Sequence, residues 1–400
     1  MRFTHAVVLV ALLASSAGAD VLHDWTAAGL EAASKDYPYV QSRTMAMVHV
    51  AMFDTINSVD ARYAPYKVKA VASLGTSAEA AAAVAAHDVL VALYPQQTAA
   101  LDAKLDISLV RLTDAGVRAS SLALGQRVAA AILALRAGDG WDAPNTWRPL
   151  TSPGVYIPTT LPVGSSWGKV ATWFLEKGDQ LRPAPPLPLK SAEWARDYNE
   201  VKSLGAKASA VRTPEQTTTG LFWTVTGPTL FLGATEAMME VSGHSLVQNA
   251  RLLALVSLVV AEGYIAVFDA KYAYNLWRPI TAIRNGDLDD NDATAPDLGW
   301  VPLVETPMHP EYPCAHCINA GAVGAVLERE FGTGRVKNMR VRSTTANVLH
   351  SWERVSDFVD EVSNSRIWAG VHYRSSTVVG TTMGRKLGAL ACDRLLRPLK

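Results

Sequence analysis

The chain has 400 residues, 49% of them hydrophobic and 18% charged, with 37 basic side chains balancing 37 acidic ones. Length and apolar content of this order can bury a sizeable core, in one large domain or a few small ones. Zero net charge gives no general attraction to nucleic acid or to an anionic membrane, so any strong positive field has to be local.

Arg2, the apolar run over residues 6–13 and the small residues Ala17-Gly18-Ala19 read as an export signal. Cleavage near Ala19 would leave a mature chain from Asp20, secreted or periplasmic. The run is too short to span a bilayer. Residues 252–260 are apolar too, but Arg251 precedes them and Glu262 and Asp269 follow. They read as a core helix, and no stable membrane insertion is expected.

Met45, Met47, Val48, Ala51, Met52 and Ile56 recur near a helical period and predict a helix over residues 42–56. An Ala-rich helix follows over 77–93, broken by Pro95, and another over 114–135, ending near Gly138 and Gly140. From Pro144 to Pro188 prolines are too frequent for long helices. Trp141, Trp147, Trp167 and Trp173 oppose a disordered linker, so residues 141–190 read as an ordered irregular segment packed over the helices. Ser191 ahead of Glu193 and Trp194 signals a new helix.

Residues 244–283 suit one long helix or two shorter ones. A loop follows over 287–310. Its Asp289, Asp290 and Asp292 lack the glycine and terminal glutamate of an EF-hand, so it reads as a solvated loop. Further helices are expected near Cys314, near Thr344 and near Thr377. Only residues 155–157 hint at a strand, and no internal repeat is visible. The expected fold is all-α: two helical-bundle-like halves in a single domain over 20–400, with the chemistry in about 245–400. The three cysteines, Cys314, Cys317 and Cys392, allow one disulfide and one free thiol in an oxidising compartment.

Three motifs in the last third carry chemistry. In Lys271-x6-Arg278-Pro279 the two cations are about two helical turns apart, roughly 10 Å of rise, with Pro279 ending the helix at Arg278. Such a pair can converge on an anion or simply snorkel from a surface helix. In Pro313-Cys314-Ala315-His316, Pro313 suits the first turn of a helix. The N–H groups of Cys314, Ala315 and His316 would then face an anion, with His316 as a candidate acid/base. In Ser365-Arg366-x3-Gly370-x-His372, a bend at Gly370 would bring Arg366 and His372 to the same place. Each motif alone also suits an ordinary helix end. In this order they supply three cations, a helix N-terminus and two imidazoles, the parts that hold an oxyanion and bond to it or protonate it.

These residues resemble the pattern K-x6-R-P, P-S-G-H, S-R-x3-G-x-H-x3-D of the vanadium-dependent haloperoxidases. That family shares its helical-bundle fold and pocket with bacterial acid phosphatases and type 2 phosphatidic acid phosphatases. The segments 43–54, 147–149, 181–188, 197–202 and 212–216 also resemble the bacterial secreted branch. The resemblance implies that Lys271, Arg278 and Arg366 hold the oxygens of vanadate, assisted by Ala315 and the residue at 314. It implies that His372 binds vanadium, that His316 is the acid/base and that Lys271 polarises peroxide. Hydrogen peroxide, a halide and a small organic substrate are the implied partners, and a homo-oligomer is left open. His309 matches a position that is His in bromide-oxidising relatives, which favours bromide or iodide over chloride. A phosphatase with no cofactor and a phosphohistidine at His372 is the alternative on the same scaffold.

Three positions depart from the pattern: Cys314 stands for Ser, Ala315 for Gly and Ser376 for Asp. A thiol donates hydrogen bonds weakly, and at a cationic helix N-terminus it tends toward thiolate, which repels an oxyanion. Cys314 and Cys317 also form a C-x-x-C, for which a local disulfide or a thiol-redox function are further readings.

Overall fold

The computed structural model describes residues 21–225, 227–343 and 346–399; the expected export signal falls on residues 1–20, outside the described residues. In chain order the helices are α1 (Val21–Ala32), α2 (Pro38–Val59), α3 (Ala78–Leu93), α4 (Thr98–Leu109), α5 (Ala115–Arg136), α6 (Ala192–Leu204), α7 (Pro214–Phe222), α8 (Thr229–Met239), α9 (Leu246–Tyr274), α10 (Pro279–Arg284) and α11 (Ala315–Phe331). A short antiparallel pair, β1 (Arg340–Arg342) and β2 (Leu349–Ser351), precedes α12 (Val355–Trp368) and α13 (Arg374–Arg394).

Local sequence explains most helix starts. Ser77, Asp114 and Ser191 accept from the backbone N–H of Ala80, Val117 and Trp194, capping α3, α5 and α6. Thr213 and Gln216 close a capping box on α7. Helix α9 is apolar on all sides, as a helix surrounded by others must be, and is buried without a break from Leu252 to Phe268. It packs against α2 on one flank, which in turn holds α3 and α5, and against α11 and α13 on the other. Helices α11 and α13 meet closely because Gly321 and Gly384 expose bare backbone; a Cβ at either would strike a carbonyl of the facing helix.

The Pro-rich segment is ordered and irregular, as its composition predicts. Buried Glu262 of α9 accepts from the N–H groups of Trp173 (2.6 Å) and Leu175 (2.8 Å). Asp139 is shared by Arg43 and Arg136, and Arg136 lies over the Trp173 ring at 4.0 Å. These charges fasten residues 139–175 to α2, α5 and α9.

Several expectations are corrected. Helix α9 stops at Tyr274 because Asn275 turns left-handed (φ 52°). Arg278 is therefore not on the Lys271 helix; extended, it precedes α10. Pro313 lies outside α11, after a cis Tyr312–Pro313 bond, and Cys314 takes the N-cap. The helix expected near Thr344, a residue outside the described ones, begins at Val355 instead, after the β1–β2 hairpin. Val155 makes only an isolated bridge to Leu276. Asp289 is not solvated: it is buried and accepts from Trp194 Nε1 and Thr294 Oγ1. Cys314, Cys317 and Cys392 are thiols here, the first two side by side.

Candidate active site

Four segments deliver the three motifs to one place. Along α9, Tyr264, Phe268 and Lys271 occupy one stripe at i, i+4 and i+7. The turn after Asn275 brings Arg278 back toward it. Helix α11 points its N-terminus, with Ala315 and His316, at the same spot. Helix α12 ends at Trp368, and Gly370 (φ 78°) reverses the chain so that His372 faces Arg278. Side chains with a Cβ rarely take that turn, and a Cβ there would also strike the Gly205 carbonyl.

A cavity of about 970 Å³ opens onto this cluster. Ala315, His316, Arg366, His372 and His309 form its inner end, and Tyr37, Tyr39, Phe268 and Leu303 are among its outer, mostly apolar walls. Lys271 and Arg278 are fully buried behind the inner end and Arg366 is 2% exposed.

The three cations are held by carbonyls. Lys271 Nζ donates to Pro310 O (2.9 Å) and Glu311 O (2.7 Å). Arg278 donates to His309 O (2.9 Å), Val371 O (2.8 Å) and His309 Nδ1 (3.0 Å). Arg366 donates to Trp223 O (2.6 Å), and its Nε is buried without a partner among the described residues. None of the three makes an ion pair with a carboxylate among the described residues. Burial, and for Lys271 also the charge of Arg278, pushes all three below their ordinary pKa values. Buried charge without an ion-pair partner is costly, and an anion placed among these groups would offset that cost.

His372 is oriented by a residue that the motifs do not contain. Its Nδ1 lies 2.7 Å from Glu311 Oε1, which also accepts from the Tyr373 N–H (3.1 Å). Nδ1 therefore carries the proton, and Nε2 turns its lone pair toward Arg278 Nη1 at 3.3 Å. Burial raises the Glu311 carboxyl to about 7, against the pull of Arg278 and Lys271. Burial, then the cations, holds His372 and His309 well below the ordinary histidine value, so both are neutral. The same holds for His316, whose Nε2 lies 3.4 Å from Val225 O.

At the helix start, the Ala315 and His316 N–H groups have no acceptor within α11, as expected. The Cys314 N–H is engaged across helices: it donates to Ser376 O of α13 at 3.3 Å, so it does not face an anion. Cys314 Sγ accepts from the Cys317 N–H (3.3 Å) and from the Cys317 thiol (2.6 Å), so it is committed as an acceptor and offers an anion no donor. Sequence reasoning missed Glu311. Its signal was an acid between two prolines, two residues after His309 and three before Cys314, where a solvated loop gives no reason for burial. Ser376, at the family's Asp position, lies against the Glu311 carboxyl, so an acid is present at that spot although 376 is a serine.

A mostly helical scaffold thus brings cations without ion-pair partners, amide donors and an oriented imidazole to one cavity. Residues 251–400 match the family model of the VCPO second helical-bundle domain. The vanadium chloroperoxidase of Curvularia inaequalis is 28% identical over 200 residues, a match covering 42% of this chain and 32% of that protein. The matched region thus spans about a third of that relative's length. A bacterial vanadium-dependent iodoperoxidase superposes with a TM-score of 0.81 at 23% identity, covering 95% of this chain and 97% of the other. An apo bacterial vanadium-dependent chloroperoxidase gives 0.72 at 15% identity, covering 88% and 92%. The chain has the vanadium haloperoxidase fold and is homologous to those enzymes.

Proposed function

We propose that the protein is a vanadate-dependent haloperoxidase that uses hydrogen peroxide to oxidise bromide or iodide to the hypohalous acid. The observation that carries this reading is the set of three buried cations without carboxylate partners, gathered around an imidazole whose free nitrogen faces them. The bare Arg366 Nε and the two α11 amides are donors that a tetrahedral oxyanion would satisfy, so the residues fit vanadate. Lys271, Arg278, Arg366 and the Ala315 N–H would hold its oxygens, and His372 Nε2 the metal. Bound vanadate would supply Lewis-acid activation of peroxide.

The chain's own groups do the rest. Glu311 keeps the His372 proton on Nδ1. His316, at the cavity end, would move a proton at the oxygen facing it. Burial and then Arg366 hold His316 neutral; a bound anion would offset the cationic share and raise its proton affinity. Lys271 would polarise peroxide. His309, packed against Phe268 at 5.1 Å between ring centroids, would flank the halide, and its match to bromide-oxidising relatives supports bromide or iodide. The outer cavity has room for a small organic acceptor. The Arg2 to Ala19 segment supports an exported enzyme, secreted or periplasmic.

The test is to load the purified protein with orthovanadate and follow bromination of monochlorodimedone with peroxide and bromide, then triiodide formation with iodide. Activity that disappears in a folded His372→Ala variant is expected. Aryl-phosphate hydrolysis without vanadate, and no halide oxidation with it, would instead assign His372 as a phosphorylated nucleophile.

A further inference from the structure

The proposed chemistry leaves the thiol pair at the start of α11 without a task. Cys314 and Cys317 are both fully buried, and their sulfur atoms are 2.6 Å apart. The two side chains are in direct contact, so a bond between them needs little movement. Both hydrogen bonds at the pair run toward Cys314 Sγ, from the Cys317 thiol and the Cys317 N–H. Burial raises the Cys314 thiol, but the Cys317 thiol, Arg366 and the helix N–H pull harder, and the net lies below the ordinary value. Burial and the same bond push Cys317 well above it. Arg366, which no carboxylate pairs among the described residues, has these two sulfurs as its negative neighbours. One sulfur is thus activated and the other sits next to it in reserve. Cys392, on α13, has a raised pKa from burial and no such partner.

We propose that Cys314 and Cys317 are a reversible dithiol oxidised by hydrogen peroxide, Cys314 reacting first and Cys317 resolving it. The Cys314 thiolate attacks one peroxide oxygen; the O–O bond breaks, and the departing hydroxide takes a proton and leaves as water. The Cys317 sulfur then attacks Cys314 sulfur. An S–S bond forms, the S–O bond breaks, and the second water leaves with the Cys317 proton. Two electrons pass from the sulfurs to the two peroxide oxygens. A small-molecule thiol in excess reverses the reaction by exchange. Only a small oxidant can take part. Ala315 and Arg366, which neighbour the pair, line the cavity, while both sulfurs are buried behind that lining, so a small oxidant would enter from that side and no protein partner would reach them. The reaction uses no vanadate and no halide, so it does not rest on the haloperoxidase reading.

The experiment uses the full chain, reduced with a phosphine and desalted into vanadate-free buffer with a chelator. Hydrogen peroxide is added stepwise, and thiols are read by differential alkylation and peptide mass mapping. The expected result is loss of two of the three thiols for one peroxide consumed. The peptide holding Cys314 and Cys317 becomes lighter by two hydrogens and resists alkylation, while Cys392 stays alkylated. Excess small-molecule thiol restores both. In Cys317→Ser, oxidation stops at a Cys314 sulfenic acid, which dimedone added together with denaturant traps. Three alkylatable thiols after excess peroxide, or oxidation of Cys392 ahead of the pair, overturns the proposal. So does a folded Cys317→Ser protein without a dimedone adduct. If that variant does not fold, the peptide map of the unaltered chain decides alone.

Discussion

A buried imidazole presents whichever nitrogen its neighbour leaves free, and at His372 the neighbour is Glu311. Replacing Glu311 with Gln keeps an acceptor for the Nδ1 proton but removes the charge that makes Nε2 a good electron donor. Partners of this kind are worth roughly 10- to 100-fold in metal affinity. Glu311→Gln should therefore weaken vanadate binding by about that factor, measured by titration calorimetry, with little change in the far-ultraviolet circular dichroism. The 314 position makes the opposite prediction. A serine hydroxyl caps a helix better than a thiol and can donate to an oxyanion as well. Cys314→Ser should raise vanadate retention, read as metal left after dialysis. Equal or lower retention would show that the thiol is no handicap.

At the scale of elements, the α12–α13 turn sets the position of His372. Gly370 is left-handed there and meets the Gly205 backbone. Gly370→Ala adds strain and a clash, together about 2–4 kcal/mol. It should lower the thermal midpoint and, by displacing His372, weaken oxyanion binding in the same protein. The link between α9 and the Pro-rich segment is equally specific. Glu262→Ala strands the Trp173 and Leu175 N–H groups at about 1–3 kcal/mol each. Limited proteolysis should then cut within residues 141–175 first, whereas cutting elsewhere would show that tryptophan packing alone holds the segment.

Across the molecule, the amphipathic and Ala-rich periods over α2, α3 and α5 and the apolar run of α9 made a helical bundle legible. The three motifs named Lys271, Arg278, Ala315, His316, Arg366 and His372, and the structure brings them to one cluster. What stayed hidden depends on tertiary contact. Asn275 ends α9 four residues before Pro279 would, and only the fold shows that the early break lets Arg278 turn back. Glu311 was invisible because burial, not spacing, gives it a role. Helices α1, α4 and α8 carry signals too short or too weakly periodic to stand out. Buried histidines give the whole molecule a pH signature. His49, between Thr26 Oγ1 and Ser257 Oγ, is pushed down to about 3 by burial. The unfolded chain binds a proton there below about 6.5, while the folded chain waits until about 3. Stability therefore falls as pH drops through that window. His309, His316 and His372 add to the loss with the same sign. Chemical denaturation at pH 7 and pH 4 should show a smaller difference for His49→Gln than for the parent.

Glu311 is committed to His372, and the cations at the pocket's inner end have no carboxylate ion-pair partner among the described residues to bias them toward one guest. Such a cradle measures size and charge, and orthophosphate, arsenate, molybdate and vanadate are near equals on both counts. The surrounding water should then select the guest, with plentiful phosphate holding vanadate out and scarcity admitting it. Phosphate should thus protect the protein against heat at the same concentrations at which it competes with vanadate, and assays in phosphate buffer would report that competition rather than the enzyme.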